Sequence, residues 1–379
     1  MGSLRILHVM ASHRWTGAAE PAANEACAAL SLGHEVLFAP TCGHSFDENL
    51  RRLGVPVTDR VAFERSYWPH RKLREIRALH ALVQDFRPDV VHAHLTHDHV
   101  LAGVALGKDG PQRPVLVRSW HRQAPPRADA FTRSLAAKRT SGGVTVSSEM
   151  GERLRETFGF GPDAVLVLPS AIDGERFSPG DGSRMRAKWG IPEGAPVAGV
   201  VSRLRPARGI VWLLKAAEEF LEREPKGWLV VCGRGSWKDE FLELLAAHPR
   251  KDRIVYAGYV EGDDLQDAYR AFDVSLLLKP GNDGGCRAAL EAMACERPVI
   301  GGDTGVLRDL LGDGACGALA RLDDAGGLAA RVLALWADAD ARRRMGMAAR
   351  ERVLQRHSRE RVAQALVDFY ARVAARASR

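Results

Sequence analysis

Two carboxylates eight positions apart, Asp283 and Glu291, bracket the run Gly284-Gly285-Cys286-Arg287-Ala288. An apolar strand, Val274–Leu278, leads into the loop Pro280-Gly281-Asn282-Asp283-Gly284-Gly285, and the pattern predicts a helix opening at Cys286. A glycine-rich loop feeding a helix start presents free backbone N–H groups and the positive end of the helix dipole, which together favour an anion. Asp283 falls in the loop, and Glu291 falls roughly two turns into the helix on the same side. Backbone amides can then hold a phosphate while the carboxylates accept hydrogen bonds from sugar hydroxyls. That is the chemistry of a sugar-nucleotide site. For Asp283 the role of helix N-cap competes with ligand contact, and the two can coexist.

A chain of 379 residues exceeds one ordinary core, so two domains are expected. Apolar content of 46% and charged content of 27% exclude a disordered chain. No apolar run approaches the roughly 20 residues of a membrane helix, and Met1–Met10 reads as a first strand rather than a signal peptide. Six cysteines without CxxC spacing imply reduced thiols and a cytoplasmic setting. The net charge of +7 does not by itself indicate nucleic acid, and no stacked aromatic register supports it. Its distribution is uneven. Between Lys108 and Arg139, the cations Lys108, Arg113, Arg118, Arg122, Arg127, Arg133, Lys138 and Arg139 face only Asp109 and Asp129. A second cluster, Phe63–Arg74, mixes cations with aromatics that look exposed. A solvated face accounts for both clusters; contact with an anionic acceptor or the inner membrane surface is the functional alternative.

The elements that must carry these residues alternate strand and helix from end to end, which predicts an α/β chain with parallel sheets. Leu4–Met10 and Glu35–Ala39 read as strands around a helix over Ala18–Leu30 that stops at Gly33. Leu73, Ile76, Leu79, Val83 and Phe86 recur at helical spacing. Asp89–His94 and Val115–Trp120 read as strands whose carboxyl ends carry histidines; Val144–Ser148 and Ala164–Leu168 complete a first doubly wound unit. The rhythm restarts near Pro196, with strands at Val197–Ser202, Trp228–Cys232, Ile254–Ala257, Val274–Leu278 and Pro298–Ile300. The Gly-, Pro- and Asp-rich segment Pro169–Pro196 is the expected linker. A final helix places Val362, Leu366, Phe369, Tyr370 and Val373 on one apolar stripe.

In order and spacing these pieces resemble glycosyltransferase family 4 along nearly the whole chain. Thr16-Gly17-Ala18-Ala19-Glu20 followed by Gly33-His34-Glu35-Val36 is similar to the family's glycine turn and second-strand entry. Pro169-Ser170-Ala171-Ile172-Asp173 resembles its linker signature, and Ser202–Gly209 its Arg-Leu…Lys-Gly phosphate motif, with Arg208 where lysine is usual. Val231–Gly235 and Val255–Tyr259 match its next two strand ends, and Gly317–Ala320 with the closing helix to Tyr370 fits its C-terminal pattern. Three departures stand out: Asp283 replaces the first glutamate of the Glu-x7-Glu signature, Gly285-Cys286 replaces Phe-Gly, and Arg308 stands where glutamate is frequent.

The resemblance implies the GT-B fold, two Rossmann-like doubly wound domains facing a central cleft, with residues 1–170 and 359–379 forming the first and 171–358 the second. It implies a retaining, metal-independent enzyme that uses a UDP- or GDP-sugar as substrate, with no cofactor, and a glycan, lipid-linked or small-molecule acceptor. Arg203 and Arg208 would neutralise the diphosphate and the charge on the leaving group. Glu291 would hold the ribose, and Asp283 the sugar. Gly17, Gly258, Tyr259 and the stretch Gly284, Gly285, Cys286 and Arg287 would line the donor pocket. His121, directly after Val115–Trp120, matches the histidine that meets the donor sugar, and the domains would close across it. His92, His94, His97, Asp98 and His99 are close enough in sequence to raise a metal site. His92 and His94 would share a strand face with the others in the loop beyond, and packing or acceptor contact is the preferred reading. Asp263-Asp264 and Asp323-Asp324 are expected in loops remote from the site. A nicotinamide oxidoreductase is disfavoured, since the first strand runs into His13-Arg14-Trp15-Thr16-Gly17 rather than G-x-G-x-x-G. A non-catalytic sugar-nucleotide-binding scaffold is the alternative, separated from an enzyme by donor turnover.

Overall fold

The computed structural model describes residues 2–15, 18–63, 69–107, 113–121, 129–280 and 286–377. Gly17, Asp283, Gly284 and Gly285 lie outside these residues, as do Lys108, Arg122 and Arg127 of the basic run. The chain forms two compact units. One takes in Met1–Pro169 with Arg359–Arg379, the other Ser170–Gly281 with Gly285–Ser358.

The first unit is built on a parallel sheet of β1 (Arg5–Met10), β2 (Glu35–Pro40), β3 (Val90–Ala93), β4 (Val115–Trp120), β5 (Gly142–Thr145) and β6 (Val165–Val167). Their order is β2-β1-β3-β4-β5-β6. Successive side chains go to opposite faces of the sheet. Ile6, Val90 and Val117 join the helix Ala19–Ser31 on one side, while Leu7, Val91 and Leu116 pack with Leu79, Leu101 and their neighbours on the other. Burial on both faces is why these strands are apolar runs rather than alternating ones. The final helix, Arg359–Ala377, lays Leu366, Phe369, Tyr370 and Val373 into the first of these cores. Gly142 makes room for it, since a Cβ there would collide with the Phe369 ring.

The second unit repeats the plan with β7 (Val197–Val201), β8 (Trp228–Cys232), β9 (Ile254–Gly258), β10 (Val274–Leu277), β11 (Val299–Gly302) and β12 (Gly317–Ala320), in the order β12-β11-β10-β7-β8-β9. Ala-rich helix Arg287–Ala294 covers one face and helix Ile210–Arg223 the other.

Several boundaries differ from the sequence reading. The fifth strand ends at Thr145, because Ser147 caps a helix beginning at Ser148 by accepting a hydrogen bond from the Met150 N–H. The expected linker contains a helix, Ser183–Lys188, which packs on helix Asp263–Ala271; Arg184 bonds Asp264 and Asp267. Asp263 and Asp264 therefore open a helix rather than lie in a loop, where their charge suits the helix dipole. Gly317–Ala320, with no period of its own to announce it, is a strand because it pairs with β11. Phe63, expected to be exposed, is fully buried among Val61 and Leu79.

Candidate functional site

In each sheet the chain reverses direction beside its first strand, and ligands of doubly wound sheets bind outside the carboxyl ends at that reversal. In the second unit it falls between β7 and β10. The loop after β7 carries Arg203, exposed, and Arg208, half-buried. The helix after β10 carries Arg287 and Glu291. Sequence reading thus assigned to one site residues that the topology brings to one sheet end.

The loop after β7 is held by the loop after β8. Ser202 N–H donates to the Cys232 carbonyl at 3.0 Å and Leu204 N–H to that of Arg234 at 3.2 Å. This close approach requires Gly233 and Gly235, where any Cβ would collide with the Ser202 and Leu204 carbonyl oxygens. Gly258 ends β9 with φ 69° and accepts from the Gly233 N–H at 2.7 Å. Beyond it, Tyr259 is 51% exposed with the Arg234 guanidinium 3.8 Å above its ring, a cation–π pair at the same sheet end. Gly233, Arg234 and Gly235 belong to the run Val231–Gly235 but carried no site role in the sequence reading. Their signal was the doubled glycine at a strand end.

Glu291 is 5% exposed. It sits one turn into the helix rather than two, because the helix begins at Arg287 and Cys286 precedes it as N-cap with φ 44°. A left-handed backbone at a non-glycine residue stores strain at this loop–helix junction. The carboxylate accepts from the Tyr269 hydroxyl at 2.7 Å and from Arg287 Nε at 3.0 Å. Burial raises its pKa, opposed by the Arg287 charge and the Tyr269 hydrogen bond. Tyr269 was not foreseen, since nothing in an amphipathic helix marks which phenol will reach the next helix. Arg308 pairs with Asp303 at 2.5 Å, which gives that guanidinium a local partner on the loop after β11.

In the first unit the reversal lies between β1 and β3, and here the side chains are buried imidazoles. The parallel register sets His8 beside His92. His8 Nδ1 is 2.9 Å from His94 Nε2, and His94 Nδ1 is 3.3 Å from His121 Nε2. His92 bonds the Tyr370 hydroxyl through Nδ1 at 2.6 Å and Ser119 Oγ through Nε2 at 2.9 Å. His121 follows β4 and is 6% exposed. Burial pushes His8 down to about 3 and His121 down to about 4, the Arg118 charge adding to the latter. His92 and His94 are held well below the usual range by burial and by neighbouring imidazoles. All four rings are neutral near pH 7. Glu25, from the helix behind them, is pushed up to about 8 by burial.

His97, Asp98 and His99 lie in the first turn of helix Thr96–Ala105 rather than in a loop. Asp98 accepts from the Ala11 and Leu95 N–H groups at 2.8 and 2.9 Å, tying the loop after β1 to the loop after β3. His99 turns to Thr140 and Arg118. The fold instead groups His92 and His94 with His8 and Glu25, whose ligand atoms lie within 4.8 Å of one another and could hold a metal ion. His92 and His94 already use both ring nitrogens in hydrogen bonds, so an ion there would displace existing contacts. Arg118 leaves the basic face altogether: it is buried, 4.3 Å over the Trp120 ring. Arg133 and Lys138 remain exposed.

Comparison with known proteins bears on family and fold. The family profile described as Glycosyltransferase Family 4 matches residues 15–176, and that described as Glycosyl transferases group 1 matches residues 181–352. A D-inositol 3-phosphate glycosyltransferase of Nocardia farcinica is 30% identical over 290 residues, covering 69% of this chain and 61% of that protein. The chain thus spans about three-fifths of that curated relative's length. Among solved structures, a glycosyltransferase from Rickettsia africae superposes with TM-score 0.86 at 16% identity, covering 98% of this chain and 99% of its own. Anabaena HepE, solved in complex with UDP-glucose, gives 0.74 at 18% identity, covering 97% of this chain and 100% of its own. The likeness to these two shows a common fold.

Proposed function

The chain belongs to glycosyltransferase family 4, and from that we propose that it is a retaining glycosyltransferase moving a sugar from a UDP- or GDP-linked donor to a glycan, lipid-linked or small-molecule acceptor. The observation that carries this is the convergence of Arg203 and Arg208, on the loop after β7, with Arg287 and Glu291, on the helix after β10, at the β7–β10 reversal. Two arginines near a helix start match a diphosphate, whose charge they neutralise as the leaving group departs. Glu291 exchanges its Tyr269 or Arg287 hydrogen bond for ribose hydroxyls, so its burial costs little before or after binding. His121, neutral and buried in the first unit, meets the transferred sugar. Carried over from the family, the donor phosphate would take the acceptor's proton.

UDP is the first donor base to try, because a HepE structure holds UDP-glucose. The name of the Nocardia relative adds a phosphorylated polyol to the acceptors worth testing. Use in cell-envelope polysaccharide or glycolipid synthesis on the cytoplasmic side suits a lipid-linked acceptor. Exposed Arg133 and Lys138 support contact with an anionic membrane surface. No described helix is long and apolar enough to cross a membrane.

A thermal-shift screen of UDP, GDP and their sugars, followed by a transfer assay on the stabilising donor, tests the reading. Stabilisation by a nucleotide with no transfer to any acceptor class would return the scaffold alternative. Metal independence is part of the proposal, because cations of the protein take the place of magnesium. Transfer should survive EDTA; loss on chelation with recovery on adding magnesium would overturn that part.

A further inference from the structure

The buried histidines form an ordered chain, and one orphaned nitrogen sets its direction. His8 Nδ1 meets His94 Nε2, and His94 Nδ1 meets His121 Nε2. His8 Nε2 is buried with no hydrogen-bond partner. A neutral imidazole carries one proton, so each ring in such a chain donates at one nitrogen and accepts at the other. If His8 held its proton on Nε2, a buried N–H donor would go unsatisfied, at the cost of its full desolvation. With the proton on Nδ1, the orphan is only a lone pair, which can stay unsatisfied at less cost than an N–H.

That choice propagates. His8 Nδ1–H donates to His94 Nε2, which must accept; His94 therefore carries its proton on Nδ1 and donates to His121 Nε2. His121 Nε2 is then an acceptor, and its own proton sits on Nδ1. The rings lie nearly coplanar, edge to edge: the His94 centroid is 5.2 Å from that of His8 and 5.5 Å from that of His121, with interplanar angles of 10° and 12°, and the Phe38 ring lies 6.0 Å from His94. His92 places no demand on the chain, since hydroxyls of Tyr370 and Ser119 flank both its nitrogens and can donate or accept. The charged and titratable groups around the rings are Arg118 near His121 and Glu25, whose Oε2 lies 3.9 Å from His94 Nδ1, too far to compete for its proton.

We propose that His94, ordered by His8, is a positioning residue that fixes His121 in its Nδ1–H tautomer, so that His121 meets its ligand as a neutral hydrogen-bond donor through Nδ1. A donor of that kind suits a sugar hydroxyl oxygen or an oxygen gaining negative charge, and does not suit a ligand proton in need of a base. The kinetic side of this rests on the transferase reading above; the tautomer does not.

Nitrogen-15 labelling of histidine, with two-bond correlation spectra near neutral pH and His121→Asn to assign the signal, reads the tautomer directly. His121 as Nδ1–H is the expected result, and His121 as Nε2–H or doubly protonated would overturn the proposal. His94→Phe removes the donor to Nε2 and should lower kcat about tenfold, less than the ~10²-fold typical of deleting a donor outright, with nucleotide affinity unchanged. His94→Gln keeps an amide donor and should recover most of the rate. Equal impairment of both variants, or none in His94→Phe, would sink the positioning role. If His94→Phe does not fold, the spectrum of the unaltered protein still decides. If no transfer is ever detected, the transferase reading fails while the tautomer stands or falls on its own spectrum.

Discussion

The two sheets reverse at the same place in their topology, beside the first strand, yet furnish it with opposite chemistry. Around β1 and β3 stand neutral, desolvated imidazoles linked to one another and sealed from water. Around β7 and β10 stand exposed or half-buried arginines and a carboxylate at a helix start. The fold supplies a location, and burial decides what it can do there. On the proposed reading, a dry, pre-oriented neutral donor would meet the hydroxyls of an uncharged sugar without the cost of desolvating a charge. On the same reading, a wet cationic rim would attract a diphosphate and let it leave again.

The sharpest way to break this contrast is to remove each chemistry in turn. His121→Ala should leave UDP affinity unchanged while lowering transfer about a hundredfold, on the scale of losing one preorganised donor. Arg203→Ala and Glu291→Ala should do the reverse at the binding step, weakening the nucleotide sugar by about tenfold or more, as losing a charge-assisted contact of ~1.5–3 kcal/mol implies. Calorimetric titration and initial rates on the same preparations separate the two patterns. A His121 variant that no longer binds UDP, or an Arg203 variant with intact affinity, would show that the division of labour between the sheets is wrong.

How far the sequence foretold these regions follows from the same contrast. The cationic region was legible because its residues sit in short segments of marked type, the loop Arg203–Gly209 and the helix start Arg287–Glu291, next to strands with clear apolar runs. Its supports were less so. Tyr269 reaches Glu291 from another helix, and Gly233 and Gly235, marked only as a doubled glycine at a strand end, act through a backbone approach to a different loop. The histidine region was half legible. Neighbours in sequence, His92 to His99, looked like one group, whereas the parallel register of β1 with β3 puts His8 with His92 and sends His99 to the opposite partners Thr140 and Arg118. Contact between residues 86 positions apart, as in His8 and His94, is a product of strand order, which one sequence without a template does not reveal.

A milder test addresses how the cationic loop is held. Gly235→Ala forces a Cβ against the Leu204 carbonyl, so the loop bearing Arg203 must shift. The expected outcome is a nucleotide affinity reduced several-fold, with a stability loss of ~1–3 kcal/mol, the usual range for overpacking. Ala in place of Gly227, where the obstacle is a Trp336 side chain away from the loop, serves as the comparison: stability falls but affinity holds. Equal losses of affinity in both would mean that the loop is not held as described.

The smallest effect expected concerns Glu25, behind the imidazole chain. Its pKa rises from 4.5 to about 8 because burial penalises the carboxylate, and its Oε2 has no hydrogen-bond partner. In the unfolded chain the group ionises near 4.5, while in the folded chain it keeps its proton to about 8. Between those values the native state binds more protons than the unfolded one, so this group makes the protein less stable as pH rises. The imidazoles act oppositely and lower down: His8 and His121 stay neutral to about 3 and about 4, so their contribution is lost as pH falls below 6.5. Glu25→Gln removes only the first trend. Its melting temperature should track the unaltered protein near pH 4.5 and exceed it progressively toward pH 8. A constant offset between the two melting curves across that window, or a variant that grows less stable with pH, would mean that Glu25 is charged in the folded protein. The imidazole chain would then adjoin a carboxylate rather than a carboxylic acid.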